Sequence, residues 1–302
     1  MICWRIFLGI FVSGSKTFTM LTSKPTGVEN ESFDAWWNWV KINLENLLRL
    51  SILGTEARAS KLSVVKLHKL SLSDYQEGMK SGVLHLGILI RLIDDLDYIQ
   101  MRNFQLFESF CKKLVSGIAN QFSYLLGHGF EVKITRLLLE QGFNFDNPDP
   151  PDFSIEYQGH TIGIECYAPK SLKNKEYFLK IFSRKVKPYR NSDWINQYPI
   201  LFVDITIWRI FENQNDPIIN GNEGSDILEK VLKELFHKTF YKLVVFFQFG
   251  YPINYVMPAI AISCQWSPSI NLEPILKEFT EKLFSNYKEE KIDIILPSLP
   301  IS

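Results

Sequence analysis

Apolar residues recur at spacings of three and four from Phe33 to Ile52, through Trp36, Trp37, Val40, Leu44, Leu47 and Leu48. That period lays one apolar stripe along a helix, and Asp34 in the first turn suits the positive end of the helix dipole. Ser73 followed by Gln76 is a capping-box pattern, which opens a second helix running to about Tyr98. Its stretch from Val83 to Ile93 (VLHLGILIRLI) holds His85 and Arg91. It falls short of the ~20 apolar residues of a bilayer span, so it reads as a buried helix. A third helix is expected from Phe104 to Leu126. Few β signals interrupt this half.

The pattern changes at Gly127. Phe130, Ile134, Leu137 and Leu138 share a helical face up to Gln141, and Gly142 supplies a stop. Gly142 to Phe145 reads as a short strand, and Asn147 to Pro151 (NPDPP) as a rigid turn. Asp152 to Tyr157 alternates as a strand, Gln158-Gly159-His160 turns, and Thr161 to Tyr167 returns as the second arm of a hairpin. A basic helix from Ser171 to Lys187 and a buried strand from Pro199 to Trp208 follow. Then come a helix from Ser225 to His237, strands from Leu243 to Phe249 and from Ala259 to Cys264, and a helix from Leu272 to Tyr287. Strands interleaved with helices predict an α/β fold around a central sheet, preceded by an all-helical region.

The chain has 302 residues, 46% of them hydrophobic and 22% charged, which is ordinary for a globular protein and enough for about two domains. Residues 1–32 read as an extension without a packed fold, or as the product of an upstream start codon with Met20 as the true start. Residues 33–126 form the helical region and 127–302 the α/β domain. Lys and Arg number 33, as do Asp and Glu, so the whole surface is no nucleic-acid magnet, although a local basic patch remains open. Cys3, Cys111, Cys166 and Cys264 lie far apart without zinc spacing, so a reducing cytoplasm is the expected location and no membrane is expected.

Alternation places Gly163, Glu165 and Tyr167 on one face of their strand and Ile162, Ile164 and Cys166 on the other. Glu165 then sits in an apolar strand, where a carboxylate needs a cation, a proton or a donor. The proline-rich turn delivers Asp152 to the neighbouring strand, and two such carboxylates suit Mg²⁺, which keeps several waters and takes one or two protein carboxylates. Asp94, Asp95 and Asp97 (DDLD) read as a solvated helix end rather than a metal site. Trp36, Trp37 and Trp39 read as core.

The order of a helix with Glu131, Pro151-Asp152 at a strand start, a strand carrying Glu165, a helix and a further strand resembles the PD-(D/E)XK nuclease superfamily. The resemblance covers about eighty residues, from Gly127 to Trp208. It implies a restriction-endonuclease-like α-β-β-β-α-β core, here with additional strands and helices. It also implies that Asp152 and Glu165 hold Mg²⁺ or Mn²⁺, with Glu131 supporting the metal site through water. The family's Glu-x-Lys lysine is replaced by Tyr167. Lys170, just beyond Pro169, is the nearest lysine able to reach back, and Tyr167 is the other group able to serve the attacking water.

From Lys170 to Arg190 eight basic residues face one acid, Glu176. Lys173, Lys175, Lys180, Arg184, Lys185 and Lys187 are the expected nucleic-acid contacts of this stretch, giving salt-dependent and sequence-tolerant binding. The expected activity is therefore metal-dependent hydrolysis of phosphodiester bonds, in DNA first of all, and a homo-oligomer is compatible with it. The alternative is a catalytically degenerate domain of the same fold that binds nucleic acid or a protein. A partner-binding protein with no nucleic-acid role is the third reading, favoured by the zero net charge. No Gly-rich phosphate loop, G-x-S-x-G or HExxH is present, so those enzyme classes have no footing.

Overall fold

Two residues with positive φ, Gln158 at 50° and Gly159 at 78°, turn the chain between two alternating strands. A two-residue turn of this hand matches the twist of the strands it joins. The hairpin is the first part of a five-stranded sheet in a computed structural model that describes residues 21–24, 33–48, 80–115, 122–148, 151–168, 198–204, 241–250, 261–265 and 273–285. Four helices come first: α1 (Phe33–Leu48), α2 (Lys80–Arg102), α3 (Phe104–Val115) and α4 (Phe122–Glu140). The strands follow as β1 (Phe153–Tyr157), β2 (His160–Tyr167), β3 (Tyr198–Asp204), β4 (Leu243–Gly250) and β5 (Ala261–Gln265), and α5 (Pro274–Leu283) comes last.

The strands lie in chain order across the sheet. The β1/β2 and β4/β5 pairs are antiparallel, while β2/β3 and β3/β4 are parallel. An antiparallel bridge between Asp146 and Ser154 extends the sheet beyond β1. The protein is thus a mixed α/β protein. The predicted helices from Ser171 to Lys187 and from Ser225 to His237 lie outside the described residues.

The face of the sheet carrying Ile155, Ile164, Phe202 and Phe247 receives α4 and α5. Phe130 of α4 meets Phe247 edge to face at 5.2 Å, and Phe279 of α5 lies 5.6 Å from Tyr157 and 5.0 Å from Phe143. Burying a phenylalanine of this kind contributes about 2–3 kcal/mol. Helix α2 packs on the far side of α4, and α1 packs on α2. One connected apolar core therefore runs from Trp36 to Phe284 and joins the helical region to the sheet. Trp36, Trp37 and Trp39 all lie inside it. The opposite face of the sheet is also apolar, with Leu201 and Val203 fully buried.

Four expectations change. The short strand expected from Gly142 to Phe145 is turn and irregular chain, with pairing reduced to the single bridge at Asp146. The helix expected from Phe130 begins at Phe122 and passes through Gly127 and Gly129, so the boundary at residue 126 falls inside α4; α3 is described only to Val115. The DDLD run is not a solvated helix end. It lies inside α2, and Asp95 is fully buried, with Oδ1 3.0 Å from Arg136 Nη1 and 3.7 Å from Lys133 Nζ of α4. Leu21 to Lys24, expected to belong to an extension without a packed fold, is docked. The carboxamide of buried Asn43 accepts a hydrogen bond from the Thr22 N–H and donates one to Thr22 Oγ1, Trp39 Nε1 donates to the Thr22 carbonyl, and Lys24 pairs with Asp94 at 2.7 Å.

Burial pulls the Lys133 ammonium below its usual range, with Asp95 opposing. Burial acts on Arg136 in the same direction, but Asp95 and Glu140 outweigh it and hold the guanidinium above its ordinary value. Asp97 is raised, first by burial and then by neighbouring Asp94.

Candidate functional site

The hairpin register decides which acids meet. Phe153 pairs with Ile164, so Asp152, one residue earlier, falls opposite Glu165, one residue later. Both belong to the face that also carries Gly163 and Tyr167. Asp152 Oδ2 accepts a hydrogen bond from the Cys166 N–H at 2.6 Å, which brings its carboxylate against the backbone next to Glu165. Such a charge-assisted bond to a main-chain N–H favours the ionised carboxylate.

The turn ahead of Asp152 is closed by a side chain. Asn147 Nδ2 donates to the Asp152 carbonyl at 2.7 Å. Two backbone hydrogen bonds between Asp146 and Ser154, each 2.9 Å, secure the flanks of the turn.

Glu165 is 3% exposed and Tyr167 7%. The small Gly163 precedes Glu165 on their shared face, and β3 runs alongside with Leu201 beside Glu165 and Val203 beside Tyr167. The pair stands near the carboxyl ends of the parallel strands β2 and β3, the end at which open α/β sheets take ligands.

Glu131 sits half-buried on α4, which packs on β2. His128 Nδ1 lies 3.0 Å from Glu131 Oε2 and donates to it, and Lys113 Nζ of α3 lies 3.7 Å away. These bonds run to α4 and α3, not to the hairpin. Lys170, Lys173, Lys175, Lys180, Arg184, Lys185 and Lys187 lie outside the described residues.

Asp204 was not singled out from the sequence. It ends β3 and is 9% exposed. Alternation places it with Phe202, on the opposite face from Glu165. Its signal is an acid closing the apolar run PILFVD.

The chemistry of the Asp152 and Glu165 pair fits a hydrated Mg²⁺ or Mn²⁺, which asks for one or two carboxylates and completes its shell with water. An all-protein cage is a different matter: among the described residues no group of three or more His, Cys, Asp or Glu side chains is placed to hold a metal ion. No helix among the described residues is long and apolar enough to cross a membrane.

Fold and site together define a mixed α/β protein with a buried glutamate and a clamped aspartate side by side near one end of its sheet. No protein-family model, curated protein or solved structure matches the chain.

Proposed function

We propose that the chain is a metal-dependent nuclease with a restriction-endonuclease-like core, hydrolysing phosphodiester bonds in DNA. The observation that carries this reading is the bond from the Cys166 N–H to Asp152 Oδ2, which sets the Asp152 carboxylate beside the Glu165 position. The element order supports it: helix α4, the bridge at Asp146, the β1/β2 hairpin, then β3 parallel to β2. The superfamily resemblance implies this order with one more helix between β2 and β3, which falls on Ser171–Lys187, outside the described residues.

Asp152 and Glu165 are the residues that would hold Mg²⁺ or Mn²⁺. Such an ion supplies positive charge to a phosphate and lowers the pKa of a bound water. The chain's own contribution is to hold two carboxylates in place and to keep Glu165 away from bulk water. Tyr167, on the same face, stands where the family has lysine and is the group that would serve a water or phosphate oxygen there. Lys170 and the basic stretch after it supply phosphate neutralisation.

One feature favours the second reading, a non-cutting domain that binds nucleic acid or a protein: the lysine position holds Tyr167, a group without positive charge.

Incubating the full chain with single-stranded, double-stranded and branched DNA, with Mg²⁺ or Mn²⁺ and with chelator, tests the proposal. Metal-dependent cleavage of at least one substrate is expected. No cleavage of any substrate, together with salt-sensitive retention on DNA, would leave the binding module as the correct reading.

A further inference from the structure

We propose that Leu21–Lys24 is a releasable strap that locks α1 onto α2, with a hydrogen-bonded half that requires the Thr22 hydroxyl and an ionic half that salt loosens. The inference stands apart from the metal reading of Asp152 and Glu165.

Asn43 lies in the apolar stripe of α1 and is fully buried. A buried carboxamide needs partners at both its ends. Its Nδ2 donates to the Trp39 carbonyl one turn back at 2.7 Å. Its remaining bonds among the described residues go to Thr22: Oδ1 accepts from the Thr22 N–H and Nδ2 donates to Thr22 Oγ1, each at 2.9 Å. Trp39 Nε1 donates to the Thr22 carbonyl at 3.0 Å. One residue of the strap therefore meets α1 through its N–H, its carbonyl and its hydroxyl, while Leu21 packs against the core.

Lys24 carries the strap across to the second helix. Its ammonium lies 2.7 Å from Asp94 Oδ2 of α2 and 5.7 Å from the centroid of the Trp39 ring. The Lys24 side chain is 49% exposed, so salt screens this pair, whereas the bonds to Asn43 sit in the interior. Helix α1 packs on α2 and α3 and stands two helices from the sheet, by way of α2 and α4. It can therefore open while the sheet stays closed. Without the Thr22 hydroxyl, a buried Nδ2 proton of Asn43 loses its acceptor, which favours states in which the strap and α1 have opened.

The test is amide hydrogen exchange of the full chain, for wild type, Thr22→Val, Thr22→Ser and Lys24→Met, at low salt and at about 0.5 M NaCl. The Thr22 amide and the amides of α1 report the lock, and those of β2 and β3 serve as the internal control. Thr22→Val, which keeps the shape and the main-chain bonds, should speed exchange at Thr22 and along α1 about tenfold and leave β2 and β3 unchanged. Thr22→Ser, which keeps the hydroxyl, should exchange like wild type. Lys24→Met should have a smaller effect at low salt and none at high salt. Faster exchange at Thr22 with α1 unchanged in both Thr22→Val and Lys24→Met overturns the lock. Equal acceleration of α1, β2 and β3 overturns it too, because the segment then adds only general stability.

Discussion

Replacing Asp95 with alanine should be among the most damaging single changes in the helical region. The side chain is 1% exposed and its Oδ1 serves two cations of α4: Arg136 at 3.0 Å, and Lys133 at 3.7 Å with a side chain only 7% exposed. Arg136 keeps a second acid, Glu140 at 2.6 Å, whereas among the described residues Lys133 has Asp95 alone within ion-pair distance. Removing Asp95 therefore strands a buried ammonium, with Arg91 adding like charge nearby. Breaking a buried ion pair from one side costs about 3–5 kcal/mol, whereas replacing both members with apolar groups is often neutral. A double-mutant cycle reads this directly, with urea unfolding of wild type, Asp95→Ala, Lys133→Met and the double variant. Asp95→Ala should lose about 3 kcal/mol or more, and the double variant should recover a substantial part of it. A loss below about 1 kcal/mol, or strict additivity, would refute the idea that these charges brace α2 against α4.

Lys133 also carries a pH signature. Its folded-state pKa lies below the unfolded value, so between the two the unfolded chain binds the extra proton and stability rises with pH. Unfolding measured from pH 7 to 10.5 should show wild type gaining on Lys133→Met as pH increases, and a flat difference would contradict the burial argument. Gly129 lies inside α4, and a Cβ placed there meets nothing within 4 Å. Gly129→Ala should therefore raise stability by about 0.5–1 kcal/mol, read as a higher urea midpoint at unchanged slope.

Much of the hairpin was legible in the chain because two local signals agree there. Alternation from Phe153 to Tyr157 and from Thr161 to Tyr167 sets which residues share a face, and the turn between them fixes the register. That parity is what placed Asp152 and Glu165 together. The start of α4 was harder to read, because Gly127 and Gly129 look like punctuation while the packing of Phe130 on Phe247 holds the helix through them. Asp95 misled for another reason. Its partners Lys133 and Arg136 lie on a different helix, and a local reading of DDLD sees only acids. Asn43 was the overlooked clue to the docked Leu21–Lys24 segment: an amide set between Val40 and Leu47 in an apolar stripe must find polar partners, and it finds Thr22. Glu131, to which the resemblance assigns support of the pair through water, makes its direct bonds to His128 and Lys113.

The most direct test of the nuclease account is Glu165→Gln, assayed for Mg²⁺-dependent cleavage of DNA and for urea unfolding on the same preparation. The substitution keeps the shape of a side chain that is 3% exposed and removes the charge that would hold the ion. The account predicts cleavage reduced about 10²-fold or more, with stability equal to or above that of wild type, because burying an amide costs less than burying a carboxylate. Wild-type cleavage that persists undiminished in Glu165→Gln would contradict it.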